Sequence, residues 1–322
     1  MRWLRSVILL ACVALLGWSF HFAVSRPLPE LREGVVEIRR GWGLSEIGRA
    51  FFGSNRWSVG SFKAYVILTG RSRRLKAGEY ELDRDSIRSL TRKLAAGRVL
   101  QYRVTVAEGV WASDIAVLLE GAGLCDRERL LSLIRDPAFA TDMAGARVPS
   151  LEGYLFPETY FFTKGMSEED ILKTFVARFN EKARPLLRSD THSAHDLLTL
   201  ASMVEREAAR DEERPVIAGV FWNRLRRRMP LESCVTVEYA LGRKKKKLTD
   251  EDLRADSPYN TYRRAGLPPG PVGNPGLRAI AATVMPAATG YLFFVAAGDG
   301  SHHFSATWAE HLRAKRRAGR GR

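Results

Sequence analysis

From Val7 to Val24 no side chain is ionised, and only Ser19 and His21 interrupt the apolar character. These 18 residues approach the ~20 needed to cross a bilayer as a helix, and Trp3 and Trp18 suit the two interfacial depths. Arg2 and Arg5 precede the run with few acids nearby, which by the positive-inside rule puts residues 1–6 in the cytoplasm and exports everything after Arg26. A cleaved signal peptide competes, because Ala23-Val24-Ser25 has the small-x-small form of a cleavage site. The run is longer than the 7 to 15 apolar residues of such a peptide, so an uncleaved helix over 7–25 is preferred. Leu9-Leu10-Ala11-Cys12 follows too short an apolar stretch for a lipoprotein box. With Cys12 inside the membrane, Cys125 and Cys234 are the one pair left outside it, and the spacing fits no zinc pattern.

The exported part has material for a core, since 45% of the 322 residues are hydrophobic, which excludes disorder, collagen and a small disulfide scaffold. The net charge of the whole chain, +15, raises the question of a polyanionic partner. Arg243 to Lys247 supplies five positive charges and His311 to Arg322 six, with no acid in either, leaving about +4 for the rest. A nearly neutral body with two basic appendages argues against a nucleic-acid groove.

Pro27, Pro29, Glu30, Arg32 and Glu33 read as a short linker. A strand at Val35 to Ile38, Gly41, and a helix opened by Leu44-Ser45-Glu46-Ile47 follow, and the order reappears at Val104 to Val106, Gly109 and Ser113-Asp114-Ile115. Gly41 with Gly109, Ser45 with Ser113 and Ile47 with Ile115 share an offset of 68, a weak internal repeat in which the serines are expected as N-caps. Gly78 to Leu82 is expected to return as a strand beside the first, and Ser86 to Ala96 as a helix. This first copy resembles a LysM module of βααβ type, over residues 35–97.

Helices are expected at Ser167–Arg178, His195–Arg210 and Arg214–Arg228. Ser257 to Gly276, rich in proline and glycine, is a loop too long to be idle in a compact domain. Tyr291 to Val295 reads as a buried strand turning through Gly298-Asp299-Gly300 into His303-Phe304-Ser305.

Acids in apolar surroundings are the informative chemistry, because desolvation lets a carboxyl act as a general acid near neutrality. Two segments qualify: Leu151 to Tyr160, where aromatics surround Glu152 and Glu158, and the helix Leu197 to Ala208. At ~100° per residue its apolar face centres on Leu197, Val204 and Ala208, so Glu205 and Glu207 flank that face and Arg206 points away. Periodicity does not choose between the two glutamates, and either could be a boundary residue paired with Arg206, Arg210 or Arg214. His302 and His303 are adjacent on a strand and face opposite ways, which prevents joint metal ligation. His192 and His195 lack clustered partners, and no serine-hydrolase, phosphate-loop or zinc-peptidase motif occurs.

Leu151 to Tyr160, Leu200 to Glu207, Val220-Phe221-Trp222-Asn223-Arg224-Leu225, Ser257 to Tyr262 and Gly266 to Pro271 together resemble, in order and spacing, the MltG/YceG-like endolytic murein transglycosylases. The resemblance covers almost the whole chain. It implies cleavage within peptidoglycan strands between N-acetylmuramic acid and N-acetylglucosamine, leaving 1,6-anhydromuramic ends, with no cofactor. It makes the first glutamate of the S-x-V-E-x-E stretch, Glu205, the catalytic residue. Glu152, Asn223, Tyr259, Asn260 and Tyr262 are then candidate substrate-binding residues. The family commonly has aspartate and proline where Cys234 and Val235 stand, a departure that puts any role for that pair in doubt. The Arg243 to Lys247 run is expected to be a solvent-facing insertion.

The expected architecture is α+β (mixed α/β): a transmembrane helix, the LysM-like module, a transglycosylase domain over 98–311 and a basic tail over 312–322. Partners are glycan strands and, by family analogy, peptidoglycan synthases, at a cell (inner) membrane with the catalytic part periplasmic. The rivals are a non-catalytic peptidoglycan-binding protein, a hydrolytic muramidase with Glu152 as partner base, and a scaffold binding anionic polymer through its tail.

Overall fold

An uncharged apolar run with no proline must satisfy its backbone internally, and in the computed structural model it does so as helix α1 (Arg2–Ser25). Its Ser6–Ser25 stretch, of mean hydropathy 2.2, is long and apolar enough to cross a membrane. The structure describes residues 2–28, 31–245 and 247–320. Pro29 and Glu30 of the expected linker, Lys246 of the basic run, and Met1, Gly321 and Arg322 at the ends lie outside the described residues.

The chain forms two compact units, one of residues 1–103 and 161–166, the other of 104–160 and 167–322. The first holds α1, β1 (Gly34–Ile38), α2 (Leu44–Phe52), α3 (Arg56–Leu68), β2 (Gly78–Leu82) and α4 (Ile87–Ala96). Strands β1 and β2 pair antiparallel, with Val36 opposite Tyr80, as the alternating pattern of 35–38 and 78–82 implies. Phe51, Phe52 and Phe62 meet edge to face or tilted at the centre of the core, with Ile47, Val66, Tyr80, Leu90 and Leu94. The repeat survives in detail, with one correction. The N-caps are Gly43 and Trp111, so Ser45 and Ser113 fall inside the first turn; it is the acid that closes each cap, Glu46 accepting from the Gly43 N–H at 2.7 Å and Asp114 from the Trp111 N–H at 3.3 Å.

Strands β3 (Tyr102–Thr105) and β4 (Thr159–Phe162) pair where the chain passes between the units. The second unit continues with α5 (Ala112–Gly121), α6 (Arg127–Arg135), α7 (Pro137–Ala144), α8 (Glu168–Lys182), α9 (Ala194–Glu207), α10 (Arg214–Arg226), α11 (Cys234–Leu241), α12 (Asp250–Leu253), α13 (Leu277–Val284), β5 (Phe293–Ala296), β6 (His302–Ser305) and α14 (Trp308–Arg320). Helix α9 is central: every residue from Leu197 to Glu205 is buried, packed against α10 and α13. A helix buried on all sides has no single apolar face, which is why periodicity misplaced its neighbours. Ala208 is not on that face but an extended C-cap, and Arg206 turns not to solvent but into a polar cluster.

Strand β5 is only half-buried over Phe294 and Val295, less than expected. His302 of β6 bonds Glu213 through Nδ1 at 2.7 Å, while His303 is exposed on the other face. Residues 312–320 of the expected basic tail are helical, continuing α14, whose His311 stacks on Phe293. Cys125 and Cys234 are free thiols.

Candidate active site

The site is built where three segments of the second unit converge on the end of α9: the turn before α5, the turn around Glu152 and the loop 257–276. A helix starts with unpaired N–H groups and the positive end of its dipole, so an acid belongs there. Glu152 fills that role for α5. Its Oε1 accepts the Ala112 N–H at 3.0 Å and the Asn274 Nδ2 at 3.0 Å, and its Oε2 receives the Tyr239 hydroxyl at 3.3 Å. Gly153 turns the chain there at φ +87°, with Pro271 where a Cβ would stand. Burial pushes the Glu152 carboxyl up to about 8, against the opposing Ala112 N–H, Tyr239 hydroxyl and Arg206 charge. In the protonated form the Tyr239 contact persists with roles exchanged, because a phenol hydroxyl both donates and accepts.

Glu152 lines a cavity of about 400 Å³ with Trp111, Arg135, Ser150, Tyr239 and Tyr259. Tyr239 meets Tyr259 at 4.9 Å and the edge of Trp111 at 6.0 Å between ring centroids. The Arg206 guanidinium lies 4.7 Å from the Trp111 ring centre and donates to Glu238 at 2.8 Å; its Nε and Nη1 find no hydrogen-bond partner among the described residues. The Trp111 indole N–H is fixed to the Val272 carbonyl at 3.0 Å.

Glu205 occupies the last turn of α9, its side chain 4% exposed. The Arg214 Nη2 donates to Oε1 at 2.7 Å and the Gly276 N–H, at the N-cap of α13, donates to Oε2 at 3.0 Å. Arg214, at the first position of α10, also pairs with Asp211. Glu205 is therefore a buried carboxyl held by donors on both oxygens, rather than one bordered by apolar groups as expected. Glu207 differs: Ser233 Oγ donates to it at 2.5 Å, burial pushes its carboxyl up, and it lines a separate cavity of about 340 Å³ with Cys234 and Tyr262.

The structure thus groups Tyr259 with Glu152 and leaves the other candidates apart. Asn223 sends Nδ2 to the Thr289 and Tyr291 carbonyls, each at 2.8 Å, and accepts from Arg226. Asn260, fully buried, donates to the Leu253 and Ala255 carbonyls at 2.9 and 2.8 Å and accepts from the Tyr262 N–H. These two asparagines stitch loops to helices, and their hydrogen-bonding atoms are already committed. The Tyr262 hydroxyl lies 3.3 Å from Cys234 Sγ, which opens α11 where the family pattern has aspartate. The basic run does not simply face solvent: Lys244 reaches Asp114 at 2.9 Å and Lys245 reaches both oxygens of Asp252 at 2.7 Å, because the acids of two helix starts border it. Trp111, Arg206 and Asn274 were not singled out from the sequence as site residues; Asn274 in Gly-Asn-Pro-Gly carried the one usable cue, a polar side chain in a rigid loop.

A family model described as the YceG-like family matches residues 36–317. The chain belongs to the YceG-like family. It is 35% identical over 274 residues to the endolytic murein transglycosylase of Bacillus subtilis, covering 79% of this chain and 76% of that protein. It is 31% identical over 314 residues to the endolytic murein transglycosylase of Streptococcus pneumoniae strain D39, covering 86% of this chain and 57% of that longer relative. The fold is similar to the crystal structure of a yceG-like protein from Listeria monocytogenes, with a TM-score of 0.61 and 33% identity over 87% of this chain and 97% of that one.

Proposed function

We propose that this YceG-like protein is an enzyme, an endolytic murein transglycosylase that cuts the N-acetylmuramic acid to N-acetylglucosamine bond within peptidoglycan strands and uses Glu205 as its single acid and base. What carries the assignment to Glu205 is its environment: of the two glutamates in Ser202-Met203-Val204-Glu205-Arg206-Glu207, only the first has one oxygen on a buried guanidinium and the other on a helix-start amide.

The reaction follows from those contacts. In the reacting complex Glu205 acts as the acid: as the C1–O bond of the muramic residue breaks, its carboxyl gives a proton to the departing oxygen. The carboxylate left behind is held by Arg214 and by the Gly276 N–H at the positive end of α13. The 6-hydroxyl of the same muramic residue then attacks C1, and its proton returns to Glu205. No water enters, so the product has a 1,6-anhydro end and the enzyme is regenerated. Ordinary glycosidases need a second carboxylate for water or for a covalent intermediate. Glu152, held protonated to about pH 8, does not supply that base near neutrality, which disfavours the hydrolytic muramidase. Trp111, Tyr239 and Tyr259 offer rings for sugar stacking in the cavity that Glu152 lines.

The same observation favours one second reading, in which Glu152 is the proton donor and Glu205 the base. Digestion of purified sacculi by the full chain, with mass spectrometry of the new ends, tests both. Anhydro ends sustain transglycosylation, whereas ends heavier by one water refute it. Glu152→Gln retains anhydro-end formation if Glu205 acts alone and abolishes it if Glu152 donates.

The apolar Ser6–Ser25 stretch supports reading α1 as an uncleaved single-pass anchor with residues 1–6 cytoplasmic and the rest periplasmic. The β1-α2-α3-β2 order supports reading 35–97 as a LysM-like glycan-binding module ahead of a transglycosylase domain over 98–311. An enzyme so placed meets newly made strands and limits their length, beside the synthases that make them.

A further inference from the structure

We propose that the first unit carries a binding site for the phosphate headgroup of an anionic phospholipid, formed by arginines between the turn after α3 and the face of α4. A cavity of about 520 Å³ there is bordered by Arg71, Arg74, Arg92, Lys93 and Arg98 with Ser89, and no acid lines it. The backbone under these side chains is fixed. The Arg71 N–H bonds the Val66 carbonyl at 3.0 Å, the Lys76 N–H bonds Leu94 at 3.2 Å, and the Arg98 N–H bonds Lys93 at 3.1 Å.

Some arginines of this chain meet acids, as Arg129 meets Glu168 and Arg206 meets Glu238, and others, such as Arg49 and Arg88, stand singly among the described residues. Among the described residues Arg71, Arg74, Arg92 and Arg98 make no ion pair; only Lys93 is engaged, by Asp85. Four unneutralised guanidinium groups around one concavity repel each other and concentrate a field that an anion relieves. The planar guanidinium fork matches phosphate oxygens two at a time.

The neighbourhood selects a lipid as the source of that phosphate. The last turns of α1 belong to this unit's own core: Val24 is 2% exposed within it, and Phe20 and Leu28 pack on it. Just past α1, the Leu28 N–H bonds the Asp85 carbonyl at 3.4 Å, and the Asp85 carboxylate holds Lys93 of the cavity. A continuous line of contacts thus joins the exit of the apolar helix to the arginines, which places them at headgroup level when α1 spans the bilayer, where anionic lipids attract basic side chains. The inference rests on α1 being retained as an anchor.

The test titrates the full chain in detergent, by calorimetry, with dihexanoyl phosphatidylglycerol, dihexanoyl phosphatidylcholine, inorganic phosphate and soluble muropeptides. Saturable phosphatidylglycerol binding at least ten-fold tighter than phosphatidylcholine is expected. The Arg92→Gln, Arg98→Gln double variant should weaken it roughly 25-fold, about five-fold per charge removed. Both side chains are exposed, so the fold should survive. The Arg92→Lys, Arg98→Lys pair keeps the charge without the fork and should retain part of the affinity. Equal binding of the two lipids, indifference to the Gln variant, inorganic phosphate as tight as phosphatidylglycerol, or displacement by muropeptides each overturns the site. The intact mass of the membrane-extracted chain checks the anchor separately: loss of residues 1–25 overturns that reading whatever the titration gives.

Discussion

Replacing Arg214 by Met would test whether Glu205 is held as the structure has it. The two side chains are 8% and 4% exposed, and the guanidinium is the only charged partner of Glu205 among the described ion pairs. Removing one member of such a pair strands the other in a place where water cannot reach it, at a cost of about 3–5 kcal/mol. A unit of this size loses about 2–4 °C of Tm per kcal/mol, so the unfolding transition should fall by roughly 10 °C at neutral pH. Differential scanning calorimetry of Arg214→Met, Glu205→Gln and the double variant closes a thermodynamic cycle. The double variant should recover a large part of the loss, since with the carboxyl gone no stranded charge remains. A Tm change below about 2 °C, or a double variant no more stable than Arg214→Met alone, would refute the buried pair.

Glu152, with its folded pKa raised to about 8, keeps a proton that the unfolded chain has lost, so stability should decline as pH rises from about 4.5 to about 8 and level off above; Glu152→Gln should flatten that slope in melts across the range. Asn223→Ala leaves the Thr289 and Tyr291 carbonyls without this donor and should cost about 2–4 kcal/mol in denaturant melts. Its KM for glycan strands should stay unchanged; a raised KM at unchanged stability would return Asn223 to the substrate site. Trp111→Ala removes a ring face of the cavity and the partner of the Arg206 guanidinium, and should weaken glycan binding about ten-fold, read as KM, with retained affinity counting against the cavity as a sugar site.

What could be read from the sequence was whatever depends on neighbours along the chain. The apolar run became α1, Ser86 capped α4, Ser167 capped α8, and the proline-rich 257–276 stretch has no helix or strand between α12 and α13. Helix α3 leaves little periodic signal in the sequence, because its apolar residues are spread around it and Trp57 is 88% exposed. In the site, burial of Glu205 was legible from Leu197 to Val204, but its partners were not. Gly276 contributes a backbone N–H, which no residue type advertises. Arg214 stood in the sequence as one of three interchangeable arginines. Asn223 and Asn260 looked like sugar ligands because an amide is the same group whether it meets a hydroxyl or a carbonyl. Only the fold shows which carbonyls were already waiting.

The most direct test of the lone proton shuttle is the Glu205→Gln variant of the full chain, incubated with purified sacculi and followed by mass spectrometry of released fragments. Gln keeps one oxygen, for either Arg214 or the Gly276 N–H, and turns its amide NH2 toward the other; it has no proton to give and no charge with which to reclaim one. A lone proton shuttle at Glu205 predicts sacculus binding equal to that of the parent chain with no 1,6-anhydro ends formed. Anhydro ends appearing at the parent rate would contradict it.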